Sequence, residues 1–327
     1  ILFLSSTMMG SLVSISANSW MGMWMGLEIN LLSIIPLMNN INNVYSSESS
    51  LKYFITQVLA STIFLMSIIM SMSNNSMEMI KNNLNLITES ALLMKMGAAP
   101  FHFWFPEIME GLSWMNSIMM LTWQKIAPMI LFMYNMKSMN FTIMIIISSM
   151  MIGSLMGINQ TSLRKIMTYS SINHIGWMLA AMMTNKMIWI LYFTVYFVIC
   201  VTLIMMFKLS KTYFMMQTFS LMKSNLLMKM SVMVNFMSLG GLPPFVGFYP
   251  KWLTINFLLE KNLTILCLIM VLTTLITLFF YMRVLYPVLI LNIDTTTIKT
   301  TKIKISQWMN IINLSSLMWC TAWFNFL

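Results

Sequence analysis

Leu239-Gly240-Gly241-Leu242-Pro243-Pro244-Phe245-Val246-Gly247-Phe248-Tyr249-Pro250-Lys251-Trp252 lies inside an apolar run that extends over residues 226–259. A helix of about 20 residues crosses the roughly 30 Å hydrocarbon core of a bilayer. The run is too long for one such helix, and Gly-Gly-Leu-Pro-Pro cannot continue one, because proline lacks the N–H and glycine is a poor helix former. The segment therefore predicts a broken helix, two half-helices joined by unwound backbone, with Gly240, Gly241, Pro243 and Pro244 at the interruption. Unwound backbone at membrane depth is tolerated only where protein or water surrounds it, so the break marks a candidate transport site.

The pattern occurs a second time. Gly97-x-x-Pro100-Phe101-x-x-x-Phe105-Pro106 matches Gly241-x-x-Pro244-Phe245-x-x-x-Tyr249-Pro250 at an offset of 144 residues, and each copy has a lysine beside it, Lys95 and Lys251. Gly97 and Pro100 are the helix breakers of the first copy. The copies lie five spans apart, and an odd separation reverses their direction through the membrane. That is the pattern of an inverted-topology repeat.

Outward from these two segments the chain is apolar almost end to end: 59% of its 327 residues are hydrophobic and 8% are charged, with a mean hydropathy of +0.80. A soluble domain carries about a quarter charged residues. The predicted fold is all-α and polytopic, with spans near 1–17, 20–38, 52–73, 84–100, 115–135, 139–158, 164–184, 187–209, 226–259, 263–286 and 306–326, about eleven in number. We expect one membrane domain over 1–327, built of a first inverted five-helix repeat (1–135), a second (139–286) and a C-terminal helix (306–326). Because the chain begins with Ile rather than Met, a few residues are expected to precede it; no cleavable signal or transit segment is evident.

The net charge of +10 does not point to nucleic acid, since the basic residues never cluster with interleaved aromatics. Instead they sort by side of the membrane. Eleven of the Lys and Arg residues, from Lys52 through Arg164 and Arg283 to Lys304, fall on one side, against Lys81, Lys137, Lys186 and Lys261 on the other. The positive-inside rule then places the N-terminus on the inner side and the C-terminus opposite. Cys200, Cys267 and Cys320 read as small buried hydrophobes, and with only His102 and His174 no metal cluster is expected. No phosphate loop, dinucleotide motif or nucleophile triad occurs, so no redox catalytic residue is expected on this chain. Met occurs 43 times and Arg twice, a bias that points to an AT-rich organellar genome reading an extra codon as Met, and so to a mitochondrion.

Three lysines, Lys95, Lys125 and Lys251, fall inside spans, and Glu28, midway along the second span, is the matching acid. An ionised residue at bilayer depth is costly, which makes each a functional candidate. The alternative is a lysine near a helix end that stretches its amine to the headgroups. Lys125 is poorly placed for that, ten residues into its span, and Pro128 frees a backbone carbonyl beside it. Lysine suits a proton relay because burial lets it give up its proton, whereas Arg stays charged. For Glu28, a structural pairing with a lysine and a charge that modulates the relay both fit. His174 follows Ser170 and Ser171 on a polar stripe and is either a relay or a satisfied core histidine. His102, in Phe101-His102-Phe103-Trp104, either anchors the break or joins the relay. Gly153-x-x-x-Gly157 permits close helix packing.

Several stretches taken together carry a resemblance. They are Trp24 through Asn30, Lys95 through Trp104, Leu121 through Pro128, Asn159 through Lys165 with Ser170 through His174, and Leu239 through Trp252. Over essentially its whole length the chain resembles the antiporter-like membrane-arm subunits of mitochondrial NADH–ubiquinone oxidoreductase, respiratory complex I. The resemblance implies two inverted five-helix units, each with a broken helix, and proton translocation driven by electron transfer elsewhere in the complex. It also implies residues: Glu28 and Lys95 match a charge pair, Lys125 a central connecting lysine, Lys251 the lysine of the second break, and His174 a histidine of the polar axis between them. A Glu28–Lys95 contact near about 4 Å is expected to hold the lysine protonated. NADH, FMN, iron–sulfur clusters and ubiquinone are then expected on other subunits, with bound phospholipid on this one. The implied partners are another antiporter-like subunit, small membrane subunits and accessory subunits, all within the mitochondrial inner membrane. A stand-alone cation/proton antiporter is the rival reading, and a scaffold whose polar axis is a relic is the third.

Overall fold

The structure is a computed structural model that describes residues 2–40, 43–73, 78–221 and 226–290. The expected span 306–326, with Cys320, lies outside the described residues, as do Lys223, Lys299, Lys302 and Lys304. Everything described is helix and connecting turn, apart from one isolated bridge between Ser162 and Phe214. The helices are α1 (Leu2–Ser16), α2 (Trp20–Met38), α3 (Val44–Ser73), α4 (Glu78–Met96), α5 (Trp104–Gly111), α6 (Trp114–Leu121) and α7 (Trp123–Asn135). They continue with α8 (Met139–Ile158), α9 (Leu163–Thr184), α10 (Lys186–Ser210), α11 (Met215–Leu221), α12 (Leu226–Gly240), α13 (Phe248–Glu260) and α14 (Thr264–Ile290).

The expected spans 20–38 and 139–158 coincide with α2 and α8. Others differ, each for a local reason. Span 52–73 begins earlier, at Val44, because Asn43 and Asn40 supply a serine-capped turn that starts the helix: the Ser46 hydroxyl donates to the Asn43 carbonyl at 2.6 Å. Span 115–135 is two helices, α6 and α7, meeting at Thr122. Pro128 has no N–H for the Gln124 carbonyl, and its ring crowds that turn. The Thr122 hydroxyl meanwhile bonds the Ile118 carbonyl at 2.7 Å. The short helices α5 and α11 were not expected from hydropathy, which averages over windows longer than they are.

On some helices the apolar side chains face outward and small polar ones inward, the reverse of a water-soluble protein. On α14, Ile265, Leu268, Leu272, Leu275 and Phe279 form an exposed stripe, whereas Thr273 and Thr277 are buried. On α1 the buried residues are Thr7, Gly10, Ser11 and Ser14, and the exposed ones include Leu4, Met9, Leu12 and Val13. In lipid, tails are as apolar as leucine, so helix association depends on close contact between small residues rather than on hydrophobic burial. Five described helices are long and apolar enough to cross a membrane: α2, α3, α8, α10 and the Thr264–Tyr286 part of α14. α9 differs from these. Almost every residue from Leu163 to Met183 is buried, including Ser170, Ser171, Asn173 and His174, so it is surrounded by protein and can carry polar side chains.

The chain divides into two compact units, residues 1–149 and 150–327. In the first, α1 lies against α2, and α4 packs on both α3 and α7. In the second, α9 packs with α10 and α13, and α12 with α10 and α14. Both units are built on glycine contacts at the same place. A Cβ on Gly10 of α1 would stand 2.8 Å from the Asn30 backbone nitrogen of α2. A Cβ on Gly153 of α8 would stand 2.8 Å from the Asn173 backbone nitrogen of α9.

Gly26 on α2 faces the Ser14 backbone of α1, where an added Cβ would overlap the Ser14 nitrogen. Backbone cannot step aside as a side chain can. Gly26→Ala should therefore destabilise the protein by about 1–3 kcal/mol, the usual cost of overpacking, read as a lower thermal midpoint in the membrane-embedded protein. Gly22→Ala, which meets only side-chain atoms at 3.1 and 3.2 Å, is the control. Equal midpoints for the two variants would mean that α1 is not held against α2 by this contact.

Candidate functional site

Each helix break begins with the same backbone closure. α4 ends at Met96, and Gly97 follows at φ +75°; α12 ends at Gly240, and Gly241 follows at φ +77°. At both, the glycine N–H bonds the carbonyl three residues back (Gly97 to Met94 at 3.2 Å, Gly241 to Ser238 at 3.0 Å). The next N–H reaches five residues back, Ala98 to Leu93 at 3.1 Å and Leu242 to Met237 at 3.3 Å. This is a Schellman cap, which needs a residue in the left-handed region and so selects glycine. Residues 97–103 and 241–247 are non-helical in turn. Helix resumes with Phe105 N–H bonding the His102 carbonyl at 3.0 Å and Tyr249 N–H the Val246 carbonyl at 3.2 Å. Every step of the second break falls 144 residues after its counterpart. Two boundaries differ from expectation: Gly240 is the last helical residue of α12, and each break runs past its prolines, because the helix cannot restart until the chain has turned.

The side chains that close the breaks are different. In the first, Trp104 Nε1 donates to the Met94 carbonyl at 3.1 Å, and Ser148 Oγ of α8 donates to the Ala99 carbonyl at 3.0 Å. The Ala99–Pro100 peptide is cis. His102 is buried, with Nδ1 3.2 Å from the Pro100 carbonyl and its ring against Phe103, contacts that fold the break itself. In the second, Lys251 (6% exposed) turns back from α13 and donates to the Leu239 and Gly240 carbonyls at 3.0 and 2.9 Å. A cation on the last carbonyls of a helix is favoured by the helix dipole. Its Nζ also stands 5.8 Å from the centre of the Trp177 ring of α9. The residue matching Lys251 in the first copy is Glu107, which instead pairs at the surface with Lys52 at 2.9 Å. So both copies have a lysine, but not at equivalent positions.

In the first unit, Lys95 (8% exposed) occupies the last turn of α4. It faces a small cavity lined by Leu27, Asn30, Leu31, Tyr53, Gln57, Lys95, Gln124 and Pro128. Asn30 of α2 and Gln124 of α7 bond each other reciprocally, at 3.0 and 2.9 Å. Lys125 (2% exposed) follows Gln124 in the first turn of α7, with Nζ 5.5 Å from the Phe105 ring centre. Glu28 is half-buried, and its Oε1 is a buried oxygen with no hydrogen-bond partner. The expected Glu28–Lys95 contact does not form: no ion pair joins the two residues, and Glu28 Oε1 is left without a hydrogen-bond partner. The reason is helical geometry. α2 turns Leu27, Asn30 and Leu31 toward Lys95, which leaves Glu28 on the neighbouring face, attracting the lysine over a longer distance.

In the second unit, His174 is buried on α9, with Nδ1 2.8 Å from the Tyr192 hydroxyl and its ring 5.1 Å from that of Tyr196. Trp177, one turn further along α9, carries the contact to Lys251. The hydroxyls of Ser170 and Ser171 donate to carbonyls of their own helix, Met167 and Thr168. Among the described residues, no group of three or more His, Cys, Asp or Glu side chains could hold a metal ion.

One buried acid went unnoticed in the sequence. Glu89 of α4 is 0% exposed. Its Oε1 accepts the Lys137 and Ser138 backbone N–H groups at 3.1 and 3.5 Å, and its Oε2 accepts the Ser138 hydroxyl. It thus caps the start of α8 and fastens the α7–α8 turn to the helix that bears Lys95. The signal was present: Glu89 lies inside the expected span 84–100 and meets the criterion that singled out Glu28.

With the geometry in place, comparison assigns the chain to a class. The family described as NADH:quinone oxidoreductase/Mrp antiporter, TM, matches residues 17–277. This is therefore an antiporter-type, multi-pass membrane subunit. NADH-ubiquinone oxidoreductase chain 2 of Anopheles gambiae is 53% identical over 294 residues, covering 89% of this chain and 86% of that one. The same-named chain of Locusta migratoria is 42% identical over 100% of this chain and 96% of its own. The chain belongs to the NADH-ubiquinone oxidoreductase chain 2 family. In fold it is similar to a chain of respiratory complex I from Thermus thermophilus, with a TM-score of 0.87 at 20% identity, covering 98% of this chain and 76% of that one. It is also similar to one of the Mrp complex from Dietzia, with a TM-score of 0.76 at 17% identity, covering 91% and 62%.

Removing the buried Glu89 carboxylate would take the acceptor from two backbone N–H groups and a hydroxyl in the half-buried α7–α8 turn. We expect Glu89→Ala to cost about 1–3 kcal/mol for the unmet donors and Glu89→Gln, which keeps one acceptor, to cost less. Thermal melts of the two variants in membranes read the difference. Identical melts would mean the α8 cap is not held by this carboxylate.

Proposed function

We propose that this chain is a core membrane-arm subunit of the mitochondrial proton-pumping NADH–ubiquinone oxidoreductase, carrying protons through Glu28, Lys95, Lys125, His174 and Lys251. The observation that carries the reading is three buried lysines, Lys95, Lys125 and Lys251, each beside an interrupted helix. A cation inside apolar helices is expensive, and a titratable one that sits where backbone can rearrange is suited to a carrier. Lys251 illustrates the chemistry. Its ammonium bonds two carbonyls of α12; releasing its proton leaves a neutral amine with two weaker donors, which loosens its hold on the end of α12 and couples its protonation to the break. Lys125, next to a hinge at Thr122, is the connecting group.

The identical closure of the two breaks, and the recurrence of element order around them, supports an inverted repeat over 1–135 and 139–286. The bias of Lys and Arg supports an N-terminus in the matrix and a C-terminus in the intermembrane space. NADH, FMN, iron–sulfur clusters and ubiquinone belong to other subunits in this reading. Its neighbours are another antiporter-like subunit, small membrane subunits and accessory subunits, with phospholipid on the exposed apolar stripes. The likeness to Mrp subunits supports a second reading, cation/proton exchange without redox coupling. Stoichiometric co-purification with an NADH-oxidising assembly argues for the first reading, and its absence for the second.

Lys125→Met keeps the length of the side chain and removes the titratable amine. The complex should assemble in normal amount, with proton pumping and coupled NADH oxidation lowered by about tenfold or more, the effect of a barrier raised by ~1.4 kcal/mol. Normal pumping by the assembled variant contradicts the relay. Orientation is tested separately, by limited proteolysis of mitoplasts against intact mitochondria. Cleavage of both termini from one side contradicts the topology.

A further inference from the structure

The cavity in front of Lys95 contains two groups without a hydrogen-bond partner, one of which, Gln57, the relay reading does not use. Gln57 of α3 is 4% exposed, and its Nε2 has no hydrogen-bond partner. Lys95 Nζ makes no hydrogen bond or ion pair with any described residue. Both line the same space as Asn30, Tyr53, Gln124 and Pro128. About 20 Å³ of that space can be reached by the centre of a water molecule, and about 10–15 Å³ is what one water needs. A buried water also needs two to four polar partners, and Gln57 Nε2, Lys95 Nζ and the amide pair of Asn30 and Gln124 supply them.

Resting on the relay reading, we propose that Gln57 is a positioning residue that holds water between Lys95 and α7, and that this water carries the proton from Lys95 toward Lys125. The N–H bond of the Lys95 ammonium breaks as an O–H bond forms on the water. A different O–H bond of that water then breaks as the proton passes on toward α7, to end as a new N–H bond on the neutral amine of Lys125, which lies on α7 beside the cavity-lining Gln124; no electrons move. Gln57 suits the task because a carboxamide orients water without binding the proton itself. The Asn30–Gln124 pair, engaged with itself, offers neutral edges and no competing base. No carboxylate lines the cavity to trap the charge. Lining the same space, Tyr53 sets its ring edge-on to Trp104 of the first break, with centroids 6.0 Å apart, so the wall of the water site is tied to the segment that would move.

The test uses the whole complex in native membranes, carrying Gln57→Leu, Gln57→Asn, Lys95→Met or Lys125→Met. Leucine keeps most of the volume and removes the amide; asparagine restores it one methylene shorter. We expect Gln57→Leu to assemble and to lose about tenfold in NADH-driven pumping, with a changed solvent-deuterium effect on the coupled rate, and Gln57→Asn to recover most of the loss. A role in packing alone would leave the isotope effect where it was. Normal pumping in assembled Gln57→Leu overturns the inference while impaired lysine variants leave the relay standing; normal pumping in both lysine variants overturns the relay itself. Should Gln57→Leu fail to assemble, an experimental density map of the unaltered complex decides. Water within about 3 Å of Gln57 Nε2 supports the proposal, and an amide bonded only to protein overturns it.

Discussion

Backbone that leaves a helix must find new hydrogen bonds for its end groups, and both breaks of this protein meet that constraint with the same Schellman cap. The glycine at its centre, Gly97 or Gly241, is the residue on which the rest depends. It lets the last carbonyls of α4 and α12 be bonded within two residues of the helix end, so the chain can turn and begin again. Around this closure are gathered the charges that a continuous apolar helix could not carry.

The two copies share a backbone solution and differ in what completes it. Trp104 supplies an indole N–H to the first break, and Lys251 supplies an ammonium to the second. A tryptophan holds its carbonyl whatever the proton balance, whereas a lysine holds its carbonyls with donors that it loses in part on deprotonation. The second break is therefore the one whose preceding helix is closed by a lysine, whereas in the first break the titratable group on the backbone is His102, at the Pro100 carbonyl. In the first unit the titratable amine, Lys95, faces a polar cavity instead, and Glu28 stands apart from it rather than in contact. Attraction without contact leaves Lys95 more able to change its protonation than a closed ion pair would, because no bond has to be broken first.

The fold was legible because the membrane imposes strong periodic demands: apolar windows of bilayer length, and Gly-Pro clusters where they stop. The breaks were legible for the same reason, down to their offset. What hydropathy could not show was the short helices α5 and α11, shorter than any useful window, or the hinge at Thr122, whose cause lies six residues away at Pro128. The lysines stood out as charges in apolar runs. Their partners did not, since they are ordinary amides and hydroxyls (Asn30, Gln57, Gln124, Tyr192) whose roles come from tertiary packing. The expected Glu28–Lys95 contact failed on helix phase, a rotation of about 100° per residue that spacing along one helix cannot settle against another. Glu89 was missed although it met the same criterion as Glu28.

Central to this account is the change of protonation of buried lysines during turnover. Infrared difference spectroscopy of the complex with isotope-labelled lysine, comparing resting and NADH-energised states in membranes, observes that change directly. The account predicts label-shifted ammonium bands that change between the two states and disappear in a variant lacking Lys95, Lys125 and Lys251. Lysine bands that stay constant through turnover, in a complex that is pumping, would contradict it.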